Sequence, residues 1–171
     1  MATPTGQIGL YDVRAELNRG GQISLGDGDV RQLAGRPSGQ IAMSDLRGKS
    51  NYITVTSGRG EKGVNTYFGF ARDNPLFSGI NIGSVTTQSF SGGTLYGIWT
   101  SYYIDWSANK LLIMNIDFGN SVVVEINGVR YTFNRYNIVG GVHHYENYDR
   151  NLTYLLRDTG KAGSTFTIKK V

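Results

Sequence analysis

Two adjacent histidines, His143 and His144, are the residues of this chain best suited to metal binding or proton transfer, and the sequence contains no others. Imidazole ligates transition metals and exchanges protons near neutral pH. Neighbouring residues of a strand point to opposite faces, so a shared metal site would need added carboxylates such as Glu146 or Asp149. A general base would need a nucleophile or a paired acid close by, and the sequence indicates neither. We therefore expect no metal site and no catalytic histidine.

Two further patterns could in principle serve chemistry. Gly48-Lys49-Ser50 matches the end of a phosphate-binding loop, but Met43 stands where the first glycine of that loop must be. Paired carboxylates hydrolyse glycosidic bonds, but carboxylates occur at this density on any soluble surface. The candidates are Asp105, Asp117, Glu125, Glu146, Asp149 and Asp158. The sequence therefore predicts a protein that is not an enzyme and that needs no cofactor.

Four tyrosines in the last third of the chain could form a contact surface. These tyrosines are Tyr136, Tyr145, Tyr148 and Tyr154. They lie among four asparagines, Asn134, Asn137, Asn147 and Asn151. Aromatic rings supply contact area with little rotamer entropy, and polar tips fix the orientation of a bound sugar or protein. Two interpretations remain open for them, namely packing or a subunit interface, and contact with a receptor.

A second group of aromatic residues is more typical of a hydrophobic core. It consists of Trp99, Tyr102, Tyr103 and Trp106. Trp99 continues the strand face of Leu95 and Gly97, so we expect it in the core, with Tyr102 and Tyr103 at the end of a strand.

Short strands joined by turns dominate the chain after Ser50. The predicted strands are 51–56, 64–70, 80–85, 94–99, 110–116, 121–126, 129–133 and 165–169. Asn127-Gly128 is the strongest hairpin signal, because both turn positions require positive φ. Residues 57–63 are predicted to be a mobile polar loop, and 148–157 either a strand or a poorly formed helix. We therefore predict a mainly β domain over 51–171, an antiparallel sandwich or a barrel-like fold.

The first 50 residues contain three near-copies of one phrase. They are GQIGLYDVR from Gly6, GQISLGDGDVR from Gly21 and GQIAMSDLR from Gly39. Each copy predicts a short extended segment followed by a helical turn. No copy buries a core alone, so residues 1–50 are interpreted as an N-terminal arm or small lobe that docks on the rest of the chain or on a neighbouring subunit. The residues assigned to this docking are Ile8, Leu10, Ile23, Leu25, Ile41, Met43, Arg14, Arg31 and Arg47.

The repeats also carry a resemblance to a known family. The run ISLGDGDVRQLAGRPSGQIAMSDLRGKS, residues 23–50, resembles a segment found near the N-terminus or between domains of tail proteins of tailed bacteriophages. The later patterns TTQSFSGGTLYGIW and VVVEINGVRYTF more loosely resemble the β-rich domain that often follows it. Residues 58–77 and 137–158 resemble no sequence pattern of that family.

The resemblance implies a virion component of the tail, tail tip or tail fibre, made in the bacterial cytoplasm. Its partners would be other tail proteins and further copies of itself, as a trimer in a fibre or a six-fold ring in a tube or tip. A host surface glycan or protein is the alternative partner, bound by a receptor-binding module. The family brings no catalytic residues to this chain.

Composition excludes several other functions. The net charge is +4, but Lys169-Lys170 is the only basic pair, so no clustered patch for nucleic acid is predicted. Cysteine is absent, which excludes disulfides and thiolate metal sites. The opening residues lack the apolar run of a signal peptide, and no stretch has the length of a membrane span, so no membrane insertion is expected.

Overall fold

The fold is described from a computed structural model that covers residues 2–17, 19–36, 38–49, 51–91, 93–102 and 108–171, with only the backbone of Tyr102. The chain divides into two compact units, Met1–Tyr52 and Ile53–Val171. The division falls two residues after the predicted boundary at residue 50.

Each repeat of the first unit contains one helical turn. These are α1 (Leu10–Glu16), α2 (Gly28–Ala34) and a 3-10 turn (Met43–Leu46). The Asp of each repeat accepts a hydrogen bond from the backbone N–H three residues before it: Asp12 from Gly9 at 2.8 Å, Asp27 from Ser24 at 3.2 Å and Asp45 from Ala42 at 2.9 Å. The three repeats therefore share this hydrogen bond, although the first two contain α-helices and the third a 3-10 turn.

The three repeats bury a common core. Val13, Val30 and Leu46 occupy the same position of the phrase, and all three are fully buried. Leu33, Ala34 and Ile41 complete this core, with partly buried residues around it: Ile8, Leu17, Ile23, Leu25 and Met43. One repeat is too small to bury its own apolar side chains, but the three repeats together bury them.

Hydrogen bonds join the two ends of the first unit. The Thr3 N–H donates to the Lys49 carbonyl at 2.8 Å, and the Gly48 N–H donates to the Pro4 carbonyl at 3.0 Å. The Lys49 N–H donates to Thr3 Oγ1 at 2.8 Å. These bonds occupy the backbone donors of Gly48 and Lys49, so they are not directed at a phosphate.

The second unit is an antiparallel β domain, which confirms the mainly β prediction. Its strands are β1 (Ile53–Thr56), β2 (Gly58–Lys62), β3 (Asn65–Ala71), β4 (Ser84–Val85), β5 (Ser89–Phe90), β6 (Gly93–Tyr102), β7 (Asn109–Met114), β8 (Ser121–Ile126), β9 (Val129–Val139), β10 (Val142–Asn147) and β11 (Thr165–Lys170). They form one sheet in the order β2-β3-β6-β7-β10-β9-β8-β11-β1-β4, with β5 beside β6. The sheet curves into a nearly closed, barrel-like fold.

The inner face of the sheet holds the main core. Its largest members include Phe70, Leu95, Ile98, Leu111, Phe133, Tyr145 and Phe166. The helix α3 (Arg150–Ala162) adds Leu152 and Leu156 to this core. Asp149 caps α3 by accepting hydrogen bonds from two backbone N–H groups of its first turn.

The outer face of β3, β6, β7 and β10 carries a second apolar cluster. Residues 72–83 cross this face and place Leu76, Phe77, Ile80 and Ile82 against it. Trp99, Leu112 and Val142 lie beneath them, so Trp99 is buried as predicted. Tyr103 and Trp106, which were grouped with it, lie outside the described residues.

The hairpin prediction is confirmed, two local predictions are wrong, one segment left open between strand and helix is helix, and one strand was not predicted. Asn127 and Gly128 have φ values of 48° and 83°, as a tight hairpin between β8 and β9 requires. The predicted polar loop is the edge strand β2, and 80–85 contains only the short β4. The segment 148–157 is mostly helix, and the strand β10 was not predicted.

Candidate functional site

Two of the four predicted contact tyrosines flank one buried polar network on the outer face of the sheet. Tyr136 of β9 is 65% exposed, and Tyr148, just after β10, is 55% exposed. Between them lie His144 and Glu146, which share a face because they are two residues apart in β10. We call the surface formed by Tyr136, His144, Glu146, Tyr148 and Lys110 the tyrosine face.

Glu146 is the centre of this network. Its Oε1 accepts a hydrogen bond from Lys110 Nζ at 2.5 Å, and its Oε2 accepts one from the Tyr148 hydroxyl at 2.5 Å. His144 Nε2 lies 3.2 Å from Oε1. Lys110 stands opposite Glu146 on β7, so the register of the sheet itself brings the two charges together. Both carboxylate oxygens are therefore engaged within the protein.

Aromatic rings enclose His144 on the same face. The Tyr136 ring lies 4.9 Å from the imidazole, centroid to centroid. Phe77 contacts the imidazole edge-to-face at 5.6 Å and Trp99 edge-to-face at 5.1 Å. Lys110 Nζ lies 5.6 Å from the centroid of the Phe77 ring. The segment 72–83 thus buries the base of the network, while the two tyrosine rings remain at the surface.

The surroundings set the protonation states of these groups. Burial, together with the Lys110 cation, lowers the pKa of His144 to about 4, and the nearby Glu146 offsets this only in part. Burial alone would raise the pKa of Glu146, but hydrogen bonds from Lys110 and Tyr148 outweigh it and lower that pKa. The hydrogen bond to Glu146 raises the pKa of Tyr148 to about 12. At neutral pH the network therefore holds one cation, one anion and a neutral imidazole.

This arrangement favours binding over catalysis. A catalytic acid or base must reach a substrate, whereas both Glu146 oxygens have protein partners and His144 is buried. Across the part of the chain that the structure describes, no group of three or more His, Cys, Asp or Glu side chains could hold a metal ion. The exposed groups of the tyrosine face are the rings of Tyr136 and Tyr148. The buried residues His144 and Glu146 contact them from the protein side.

The other two predicted tyrosines do not lie on the tyrosine face. Tyr145 is fully buried on the opposite face of β10, where its hydroxyl accepts a hydrogen bond from the Phe118 N–H at 3.1 Å. Its proposed contact with a receptor or subunit is therefore wrong, because alternation along the strand points it into the main core. Tyr154 is exposed on α3, with the Arg157 guanidinium 4.8 Å from its ring.

His143 is directed away from His144, as expected for adjacent residues of a strand. It faces Asp117, with 3.8 Å between its Nδ1 and Oδ1 of that residue. Asp117 also pairs with Arg135 and accepts a hydrogen bond from the Gly119 N–H at 2.7 Å. That backbone bond, followed by the charge of Arg135, lowers the pKa of Asp117. The two histidines thus belong to separate environments.

The predicted docking residues of the first unit have unequal exposure. Ile41 is buried and Ile8, Ile23, Leu25 and Met43 are partly buried in the shared core, whereas Leu10 is 38% exposed. Arg14 and Arg31 each donate a hydrogen bond to the first glycine carbonyl of the next repeat, at 3.2 Å and 2.9 Å. Arg47, in the last repeat, is exposed. Sequence reasoning missed Tyr11, which is 72% exposed and stacks with Arg14 at 5.0 Å.

The apolar positions of the repeats therefore serve first to hold the unit together. Of the predicted docking residues, Leu10 and Arg47 remain exposed, and Tyr11 is exposed beside Leu10. The helices that the structure describes include none long and apolar enough to cross a membrane.

Comparisons of the chain with protein-family models, with curated proteins and with solved structures find no match.

Proposed function

We propose that this chain is a structural protein of a tailed-bacteriophage virion, a component of the tail, tail tip or tail fibre that assembles through its N-terminal unit. The observation that supports the proposal most is the first unit itself. Three copies of one sequence motif share an Asp hydrogen bond and a common core, and most of the second copy and all of the third lie in residues 23–50, which carry the resemblance to tail proteins. A compact unit of this kind is suited to dock as a preformed body.

Docking would use the side chains that the shared core leaves outside. Leu10 and Tyr11 are exposed together, and Arg14 stacks on the Tyr11 ring. Tyrosine and arginine are enriched among the residues that dominate binding energy at protein interfaces. The partners are other tail proteins and further copies of the chain, and the protein acts in the virion after synthesis in the bacterial cytoplasm. The proposal assigns it no catalytic reaction.

Complementation of a phage that lacks its own copy of this gene tests the proposal. Particles are assembled with the full chain, with residues 53–171 alone, or with the Tyr11→Ala variant, and the chain is quantified in purified particles. We expect incorporation of the full chain, loss of it for residues 53–171, and at least a several-fold reduction for Tyr11→Ala. Tyr154→Ala, an exposed tyrosine of the second unit, is the matched control. Incorporation of residues 53–171 at the level of the full chain would contradict the proposal.

A receptor-binding module of the tail is the second candidate, and the tyrosine face favours it. Tyr136 and Tyr148 present exposed rings above a fixed network, which is the kind of surface that binds a glycan or a protein. Tyr148→Ala should then reduce adsorption to host cells while the particles assemble normally. Loss of assembled tails in that variant would support an interface within the virion instead.

A further inference from the structure

The two rings of the tyrosine face are held in place by buried partners. The Tyr148 hydroxyl is hydrogen-bonded to Glu146, and the Tyr136 ring packs on the imidazole of His144. His144 is in turn packed edge-to-face against Phe77. A ring that is already fixed loses little side-chain entropy when a ligand stacks on it. The surface is therefore organised before any ligand arrives.

Polar groups suited to hydroxyl recognition lie beside the rings. Asn134 of β9 is the direct cross-strand partner of Glu146, so the two share one face of the sheet. Thr132, two residues earlier in β9, lies on the same face, and both side chains are exposed. An amide both donates and accepts hydrogen bonds, and so does a hydroxyl. These groups next to a flat ring match a pyranose, which has an apolar face and a polar rim.

The charge of the face indicates which saccharides fit. Lys110 and Glu146 neutralise each other at 2.5 Å, and both side chains are largely buried. His144 is uncharged at neutral pH because of its burial. Two arginines of β9 have acidic partners: Arg135, on the inner side, pairs with Asp117, and Arg130, on the outer side two residues before Thr132, lies 3.9 Å from Glu125. The five residues of the tyrosine face themselves thus offer no free cation to a carboxylate or phosphate, which favours a neutral ligand there.

A protein partner or a second copy fits the face less well. Stable protein interfaces have an apolar, fully desolvated centre surrounded by a polar rim. Here the groups between the two rings are the charged pair of Lys110 and Glu146, and the flanking strand presents Thr132 and Asn134. Within the tyrosine face, only the two rings supply exposed apolar area.

We propose that the tyrosine face binds a neutral saccharide chain, with pyranose rings stacked on Tyr136 and Tyr148 and their hydroxyls bonded by Asn134 and Thr132. This proposal rests on the receptor-binding candidate function and gives its ligand class.

The test uses the purified full chain on an array of oligosaccharides, followed by titration of any that bind. The array contains neutral oligomers of hexoses and N-acetylhexosamines, together with oligomers that carry uronic or sialic acid. We expect binding to neutral oligomers, weakened about 5- to 10-fold by Tyr136→Ala and by Tyr148→Ala. Tyr136→Phe keeps the ring and should bind nearly as the unmodified chain does. Tyr154→Ala, on α3, should bind normally.

Three results would overturn the proposal. They are no binding to any neutral oligomer, binding to acidic oligomers alone, and equal binding by the two alanine variants when their thermal melts match that of the unmodified chain. An equal loss of binding in Tyr154→Ala would also contradict it. Because the assay uses purified protein, its failure is separate from failure to enter particles, which tests the proposed virion function.

Discussion

Replacement of Leu46 by alanine should unfold the N-terminal unit and leave the β domain intact. Leu46 is fully buried in the core that the three repeats share. Removing a fully buried leucine side chain costs about 3 kcal/mol, from the lost transfer free energy and the cavity left behind. A unit of this size has a total stability of roughly 3–8 kcal/mol. The substitution therefore removes a large part of the stability of the unit.

Amide hydrogen exchange of the full chain, followed by mass spectrometry, measures both units at once. In Leu46→Ala we expect loss of protection over residues 2–49, with unchanged protection in the strands of the second unit. Leu10→Ala is the matched control, because Leu10 has the same side chain in the same unit but is 38% exposed. It should change the stability of the unit by less than about 1 kcal/mol. Unchanged protection in Leu46→Ala would refute the idea that the repeats are held by a common core.

Three further predictions concern the β domain. Between pH 7.5 and 4.5 its unfolding free energy should fall by about 2–3 kcal/mol, because the folded state keeps the pKa of His144 at about 4 and the unfolded chain takes up the proton at about 6.5; urea titrations should show a smaller fall in His144→Gln. Gly160→Ala should lower the melting temperature although alanine has the higher helix propensity, because the added methyl would lie 2.9 Å from Phe68 Cβ. Asp158→Ala on the same helix should not lower it. Asp149→Ala should cost about 1 kcal/mol in chemical denaturation, because it removes the acceptor for two N–H groups of the first turn of α3.

Patterns that depend on local geometry were predictable from the sequence. Asn127-Gly128 requires positive φ at both positions, so the hairpin could be placed to the residue. The repeated motif has an Asp at a fixed position. In all three copies this Asp accepts a hydrogen bond from the backbone N–H three residues earlier.

Features that depend on distant parts of the chain were not predictable. Strand β2 looks like a loop because it contains Gly58 and Gly60, yet these glycines let the backbone approach Ile82 and Gly83 closely. Strand β10 was missed because both of its faces are covered, with Tyr145 in the main core and His144 under Phe77, so no apolar alternation marks it. The sequence indicated that no single repeat buries a core, but it did not show that Leu33, Ala34 and Ile41 would join Val13, Val30 and Leu46 in one cluster.

The tyrosine face was predictable only in part. Tyr136 and Tyr148 were identified from their density among asparagines, but nothing in the sequence pairs Lys110 with Glu146 across 36 positions. That contact follows from the order of β7 and β10 in the sheet, which is set by the whole domain.

Cryo-electron microscopy of particles of the phage that encodes this chain tests the central proposal most directly. The account predicts density for the chain in the tail, with the N-terminal unit in contact with another tail protein or another copy through the surface of Leu10 and Tyr11. A complete tail density with no place for the chain would contradict the account. So would a chain whose N-terminal unit stands free while the β domain makes every contact.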